Sequence, residues 1–177
     1  MPPLAAVLFD VDETLYDRRA AQGLILRHLA ARLPGLFEGC AFEAMAAAFA
    51  ESDRQTAEHF MTTASIGASR DARSRIFLEE LGRPAARARE VSEAYVAAYR
   101  RTAAPVPGAV ETVARCARHL PVGVVSNAFP DVQYDKLRAI GLEGAFQCVL
   151  LSEEVGVRKP DPRIFHQACA ALGAEPG

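Results

Sequence analysis

No apolar stretch of this 177-residue chain approaches the roughly 20 residues needed to span a bilayer, so a transmembrane helix is not expected. Nor does it open with a basic region followed by a cleavable apolar segment, which makes the cytoplasm the default address. Excess charge of one sign is lacking as well. The 20 Lys and Arg against 22 Asp and Glu leave a net charge of −2, with no general pull toward nucleic acid or an anionic membrane. Cysteine is sparse: Cys40, Cys116, Cys148 and Cys169 show neither metal-ligand nor redox spacing, and buried free thiols are expected. His28, His59, His119 and His166 are scattered and read as surface residues. There is no internal repeat, low-complexity run or charged tail. What is present is 50% hydrophobic and 24% charged, enough for a sizeable core in a soluble globular protein.

Three short segments carry chemistry. The run Leu4-Ala5-Ala6-Val7-Leu8-Phe9 reads as a buried strand, and it delivers Asp10 and Asp12 at its carboxyl end, where open α/β sheets hold their ligands. Side chains two apart on an extended chain point the same way, so both carboxylates can face one reacting group. A carboxylate nucleophile beside a second carboxyl group is suited to making and breaking an aspartyl-phosphate. The plainer reading is that Asp12-Glu13-Thr14 turns the chain and caps the next helix. Val122-Gly123-Val124-Val125 is a second buried strand, bounded by Pro121 and ending in Ser126-Asn127, a hydroxyl and an amide suited to phosphate oxygens or simply to a turn. The helix expected from about Pro130 adds the positive end of its dipole nearby. Cys148-Val149-Leu150-Leu151 gives a third strand, followed by Arg158-Lys159-Pro160-Asp161-Pro162 leading into another helix. Asp161 as N-cap and Pro162 in the first turn account for half of that motif, and Lys159 is left as a point charge between a strand end and a helix start.

In this order and at these distances the three segments resemble the haloacid dehalogenase-like hydrolase superfamily over nearly the whole chain, with Asp10, Asp12 and Thr14 on its first motif, Ser126 on its second and Lys159 on its third. The resemblance implies that Asp10 attacks phosphorus, Asp12 protonates the leaving oxygen, Thr14, Ser126, Asn127 and Lys159 form the phosphate-binding set, and Thr14 also orders the loop. It also implies magnesium (Mg2+), bound by the Asp10 carboxylate and the Asp12 backbone carbonyl. Members that displace halide from carbon or cleave phosphonates lack an aspartate at the position of Asp12, so phosphate ester chemistry is favoured over dehalogenation. Phosphomutases of this type usually have glycine where Glu13 stands. The superfamily's fourth motif, an acidic pair after a fourth strand, has no counterpart before Gly177. Glu153-Glu154 follows the third strand, but similar segments in the family do not use these glutamates on the metal.

The implied fold is α/β: a Rossmann-like parallel sheet core with helices on both faces, formed by residues 1–16 and 107–177, plus an inserted four-helix cap over residues 17–106, the core lacking its last strands. Without a fourth strand beside it, Leu4–Phe9 becomes an apolar edge, and the chain is expected to be a fragment of a longer protein or to self-associate through that strand. The cap region is nearly all helix in pattern: 19–32 with Leu24, Ile25, Leu29 and Leu33 as its stripe, 42–59 with Phe42, Met45 and Phe49, then 70–81 and 87–101 separated by Gly82-Arg83-Pro84. Arg18, Arg19 and Thr62-Thr63-Ala64-Ser65-Ile66-Gly67 are the candidate substrate contacts, with solvated side chains as the plainer reading. The function implied is hydrolysis of a small phosphorylated metabolite, a nucleoside monophosphate or sugar phosphate. The second reading is a catalytically silent member that binds a ligand or partner.

Overall fold

A computed structural model describes residues 4–60 and 66–175 of the chain. By contacts they divide into two compact units: Met1–Ala21 with Arg100–Gly177, and Gln22–Tyr99. Among the described residues no helix is long and apolar enough to cross a membrane.

The first unit is built on a parallel sheet of β1 (Val7–Phe9), β2 (Val122–Ser126) and β3 (Cys148–Leu151), in that spatial order. Val7, Leu8 and Phe9 lie opposite Val122, Gly123 and Val124, and Gly123 to Ser126 lie opposite Cys148 to Leu151. All five residues of β2 are buried, as a central parallel strand covered by helices requires. The strand expected over Leu4–Phe9 is shorter: Leu4 is 76% exposed and pairing starts at Val7, whose N–H donates to Pro121 O. Pro121 has no N–H to continue a ladder upstream, so the sheet begins where β2 begins. The three residues of β1 are half-buried rather than buried, because among the described residues β2 is its only neighbour. β3 has the same character except for the buried Leu151.

The helices of this unit are α6 (Ala109–Ala117), α7 (Pro130–Ala139), α8 (Ser152–Val155) and α9 (Pro162–Ala171). Pro130 and Pro162 start α7 and α9, as fixed φ at the first helical turn favours, and the Asp161 carboxylate caps α9 by accepting the Arg163 N–H at 2.9 Å. Ile164 and Ala168 of α9 are fully buried with Val125 of β2, and Leu8, Leu150, Val155 and Val157 close around them. The four cysteines are free thiols, as expected, but half-buried rather than buried.

The second unit contains most of α1 (Arg18–Arg32), then α2 (Pro34–Phe37), α3 (Phe42–Phe60), α4 (Ile66–Glu80) and, after a short 3-10 turn over Ala85–Arg87, α5 (Ala88–Tyr99). Its core is aromatic: Phe77 is fully buried with ring centroids 5.7 Å from Phe37 and 5.4 Å from Phe49, and Phe49 stacks on Tyr95 at 4.9 Å. The stripe of α1 is corrected at one position. Leu24 is 53% exposed, whereas Leu26 joins Ile25 and Leu29 in the core. At about 100° per residue, Ala21, Ile25 and Leu29 set the buried face, with Leu26 and Leu24 on its two flanks, of which only the Leu26 side is covered. The one-turn helix α2, which buries Leu36 and Phe37, has no counterpart in the expected elements.

Candidate active site

The first carboxylate segment is held by its own backbone. Beyond Phe9 the chain closes a tight loop in which Val11 O accepts the N–H groups of Leu15 and Tyr16 at 2.8 and 2.9 Å, and Glu13 N–H donates to Tyr16 O at 2.8 Å. Glu13 takes a left-handed conformation, φ 59°, to make the turn. Val11, Leu15 and Tyr16 are buried beneath the loop, and Asp12 and Asp10 are left partly accessible. Three bonds anchor the loop to the residues before α6: Tyr16 Oη to Thr102 O at 2.8 Å, Asp17 N to Ala104 O at 2.7 Å and Val106 N to Leu15 O at 3.0 Å. Thr14 lies exposed on the same turn, its N–H 3.3 Å from Val11 O.

The other segments converge on this loop. Lys159 Nζ, from between β3 and α9, donates to Asp10 Oδ1 at 2.7 Å and to Val125 O at 2.9 Å. Its backbone is clamped by Asn127: Asn127 Nδ2 donates to Lys159 O at 2.9 Å and Lys159 N donates to Asn127 Oδ1 at 2.8 Å. The structure therefore puts Lys159 in direct contact with Asp10 through its side chain and with Asn127 through its backbone, the Asn127 amide being turned toward the Lys159 peptide. Ser126, at the end of β2, is buried and reaches Asp12 through one intermediary, Gln133 of α7.

Gln133 and Lys136 are the residues sequence reading missed. Lys136 Nζ donates to Asp12 Oδ1 at 2.6 Å, and Gln133 Nε2 donates to Asp12 Oδ2 at 3.2 Å and to Ser126 Oγ at 3.0 Å. Both are buried, at 4% and 1% exposure, which is unusual for these residue types. Burial pushes the Lys136 ammonium below its ordinary range, against the opposing charge and hydrogen bond of Asp12. Among the described residues Gln133 Oε1 is buried with no hydrogen-bond partner, while both N–H groups of the amide are engaged. The inward stripe of α7 is Val132, Gln133, Lys136 and Leu137, so two polar residues at helical spacing sit on its buried face, where a sequence pattern would put them in water.

The arrangement sets two carboxylates against two ammonium groups, with Arg18 near enough to disfavour the charged form of Lys136. Chemically, two adjacent carboxyl groups are able to serve as nucleophile and as proton carrier, and a hydroxyl and an ammonium are able to bind anionic oxygens. Among the described residues no group of three or more His, Cys, Asp and Glu gathers to hold a metal ion. Glu154 is engaged by Tyr134 Oη at 2.9 Å. Of the candidate substrate contacts, Arg18 and Arg19 are exposed, Ile66 and Gly67 open α4, and Thr62-Thr63-Ala64-Ser65 lies outside the described residues. His28, His119 and His166 are exposed, as expected.

The family model for haloacid dehalogenase-like hydrolases matches residues 4–177. Among characterised proteins, the chain is similar to the phosphoserine phosphatase of Thermus thermophilus, 42% identical over 109 residues covering 59% of this chain and 43% of that protein. It is 33% identical over 84 residues to the pyrimidine 5'-nucleotidase YjjG of Escherichia coli, covering 48% of this chain and 37% of that one. A longer match joins it to the glyceraldehyde 3-phosphate phosphatase of Methanopyrus kandleri, 29% identical over 182 residues, 98% of this chain and 72% of that protein. The matched parts thus span less than half the length of the first two relatives. Among solved structures, the putative HAD-hydrolase YfnB of Bacillus subtilis bound to magnesium shares the fold with a TM-score of 0.78 at 23% identity, covering 94% of this chain and 73% of that one. The L-2-haloacid dehalogenase of Xanthobacter autotrophicus does so with a TM-score of 0.67 at 22% identity, covering 99% and 67%.

Proposed function

The chain belongs to the haloacid dehalogenase-like hydrolase family, and from that membership we propose that it hydrolyses a small phosphate monoester through an aspartyl-phosphate on Asp10. The observation that carries the reading is the 2.7 Å contact between Lys159 Nζ and Asp10 Oδ1, which joins two motif segments 149 residues apart into one site. Phosphoryl transfer depends on positioning and charge neutralisation, and this site supplies both.

In the first step an Asp10 carboxylate oxygen forms a bond to phosphorus while the ester P–O bond breaks. The bonding pair leaves with the ester oxygen, and Asp12 gives that oxygen its proton, a contribution worth about 10²–10⁴-fold for a poor leaving group. In the second step water attacks the phosphorus of the aspartyl-phosphate, its proton passes to Asp12, and the Asp10 carboxylate departs as phosphate is released. Lys159 has three N–H donors; two are directed at Asp10 and Val125 O, and the third serves a phosphoryl oxygen. Ser126 Oγ accepts from Gln133, so its own proton is directed to another phosphoryl oxygen.

Magnesium fits the donor set. The Asp10 carboxylate and the Asp12 carbonyl are hard oxygens that would hold it, with phosphate oxygens and water as the remaining ligands usual for this ion. When bound, it supplies charge neutralisation at the phosphoryl group. Membership of a family that generally uses magnesium supports this assignment.

The relatives act on phosphoserine, a pyrimidine nucleotide and glyceraldehyde 3-phosphate, three leaving groups whose common feature is a small phosphorylated molecule. In this reading the helical insert over residues 17–106 plays the part of the family's cap and selects the leaving group. Asp12 favours ester hydrolysis over dehalogenation, because a departing alkoxide needs a proton and a halide does not.

The test is hydrolysis of 4-nitrophenyl phosphate by the purified chain, with and without magnesium, beside Asp10→Asn. Magnesium-dependent turnover that falls by at least about 10³-fold in the variant is expected. Turnover no higher than that of the variant overturns the reading.

A further inference from the structure

We propose that Gln133 and Lys136 form a positioning clamp on Asp12, a pair of donors from one turn of α7 that fixes the carboxyl group toward the leaving-group oxygen and couples it to Ser126. The inference rests on the phosphomonoesterase reading and extends it to two residues outside the motif segments.

The geometry is specific to that task. The two donors take different oxygens of one carboxyl group, Lys136 Nζ on Oδ1 at 2.6 Å and Gln133 Nε2 on Oδ2 at 3.2 Å. A carboxyl group held at one oxygen still turns about its Cβ–Cγ bond, whereas one held at both has its plane set. Each oxygen accepts one of these bonds and retains a second lone pair, on which the transferred proton can travel. The same Gln133 amide reaches Ser126 Oγ at 3.0 Å, so the proton-transfer group and a phosphate-binding hydroxyl share one support.

The supports are themselves fixed. Gln133 and Lys136 lie three apart on a helix whose first residue is Pro130, and both are buried. Lys136 Nζ stands 5.6 Å from the centroid of the Tyr16 ring, and Tyr16 is tied through its hydroxyl to Thr102 O at 2.8 Å. Gln133 directs both N–H groups of its amide at the site, to Asp12 Oδ2 and Ser126 Oγ, and among the described residues its buried carbonyl oxygen has no hydrogen-bond partner. Proton transfer is sensitive to such placement, because acid and leaving oxygen must meet within hydrogen-bond reach as the P–O bond breaks.

The test compares two esters of similar shape, 4-nitrophenyl phosphate, whose leaving group departs readily, and phenyl phosphate, whose leaving group needs the proton. Lys136→Met and Gln133→Leu are expected to lower kcat for phenyl phosphate at least about tenfold more than for 4-nitrophenyl phosphate. For Lys136→Met, KM should stay within about twofold, since that variant leaves the Gln133–Ser126 contact and the other phosphoryl-binding groups in place. Lys136→Arg should recover most of the loss, and in an Asp12→Asn background Lys136→Met should change kcat by less than about twofold, because the two act through one carboxyl group. Thermal unfolding checks that each variant folds. If Lys136→Met or Gln133→Leu does not, Lys136→Gln and Gln133→Asn, which preserve polarity but shorten the reach, carry the same comparison. Equal losses on both esters, a rise in KM alone, or a further drop in the Asp12→Asn background would overturn the clamp while leaving the phosphatase reading standing. A wild-type chain inactive on both esters overturns the reading and the clamp together.

Discussion

Asn127 leaves β2 beside Ser126, yet both ends of its side-chain amide are directed at the Lys159 peptide, at 2.9 and 2.8 Å. Its contribution to the site is therefore to hold the backbone from which Lys159 reaches Asp10. Asn127→Ala removes two exposed hydrogen bonds, which water replaces with little cost to the fold, and frees the Lys159 peptide to shift. The expected outcome is a fall of about tenfold in kcat/KM on 4-nitrophenyl phosphate with little change in melting temperature. Unchanged kinetics would mean that Lys159 is placed without Asn127. Individual residues of the site were legible in the sequence to different degrees. Asp10 and Asp12 could be singled out because they follow a strand end, and Lys159 because the N-cap Asp161 and Pro162 leave it as an unexplained charge before a helix start. Gln133 and Lys136 were hidden because a polar residue inside a helix usually faces water, and only the burial of their stripe shows that they face inward.

β2 shows how an element can depend on one small residue. A Cβ placed on Gly123 would lie 2.7 Å from Cys148 Sγ on β3, and 3.2 Å from Leu8 Cδ2 and Leu172 Cδ1. The close approach of three neighbours, not backbone conformation, makes glycine necessary here. Gly123→Ala is expected to destabilise the chain by about 1–3 kcal/mol in urea denaturation, the range for overpacking a filled core. Cys148→Ala removes the nearest of the clashing atoms, so the double variant should recover part of the loss, with a coupling of about 1 kcal/mol. Strict additivity would show that the sheet absorbs the methyl group elsewhere. β2 was readable in the sequence for the reason that makes it sensitive: a run of small and β-branched residues after Pro121 and before Ser126 has no polar face. The short α2 was not readable, because Pro34-Gly35-Leu36-Phe37 combines two breakers with two apolar residues and is helical only where Leu36 and Phe37 find a core. Leu24 was placed on the wrong face of α1 because a run of Leu24, Ile25 and Leu26 gives no local clue to which flank is buried.

At the scale of the whole molecule, two compact units each carry a core of their own. That of Met1–Ala21 with Arg100–Gly177 is aliphatic around β2 and α9; that of Gln22–Tyr99 is aromatic around Phe77. The difference allows their stabilities to be tested separately. Phe77→Ala removes a fully buried ring in contact with Phe37 and Phe49, a change that costs about 3–5 kcal/mol in the core where it is made. If each unit opens on its own, that loss is confined to its own residues, because the amides of one cooperative unit share one opening free energy. Hydrogen exchange followed by mass spectrometry should then show faster exchange across α3, α4 and α5, with the amides of β2 unchanged. The site residues Asp10, Ser126 and Lys159 all belong to the unit that retains its protection, so their framework should remain folded in the variant. An equal rise in exchange at β2 would instead mean that the chain opens as one cooperative body, and that the stability of the Lys159–Asp10 contact is set as much by the helical insert as by the sheet that presents it.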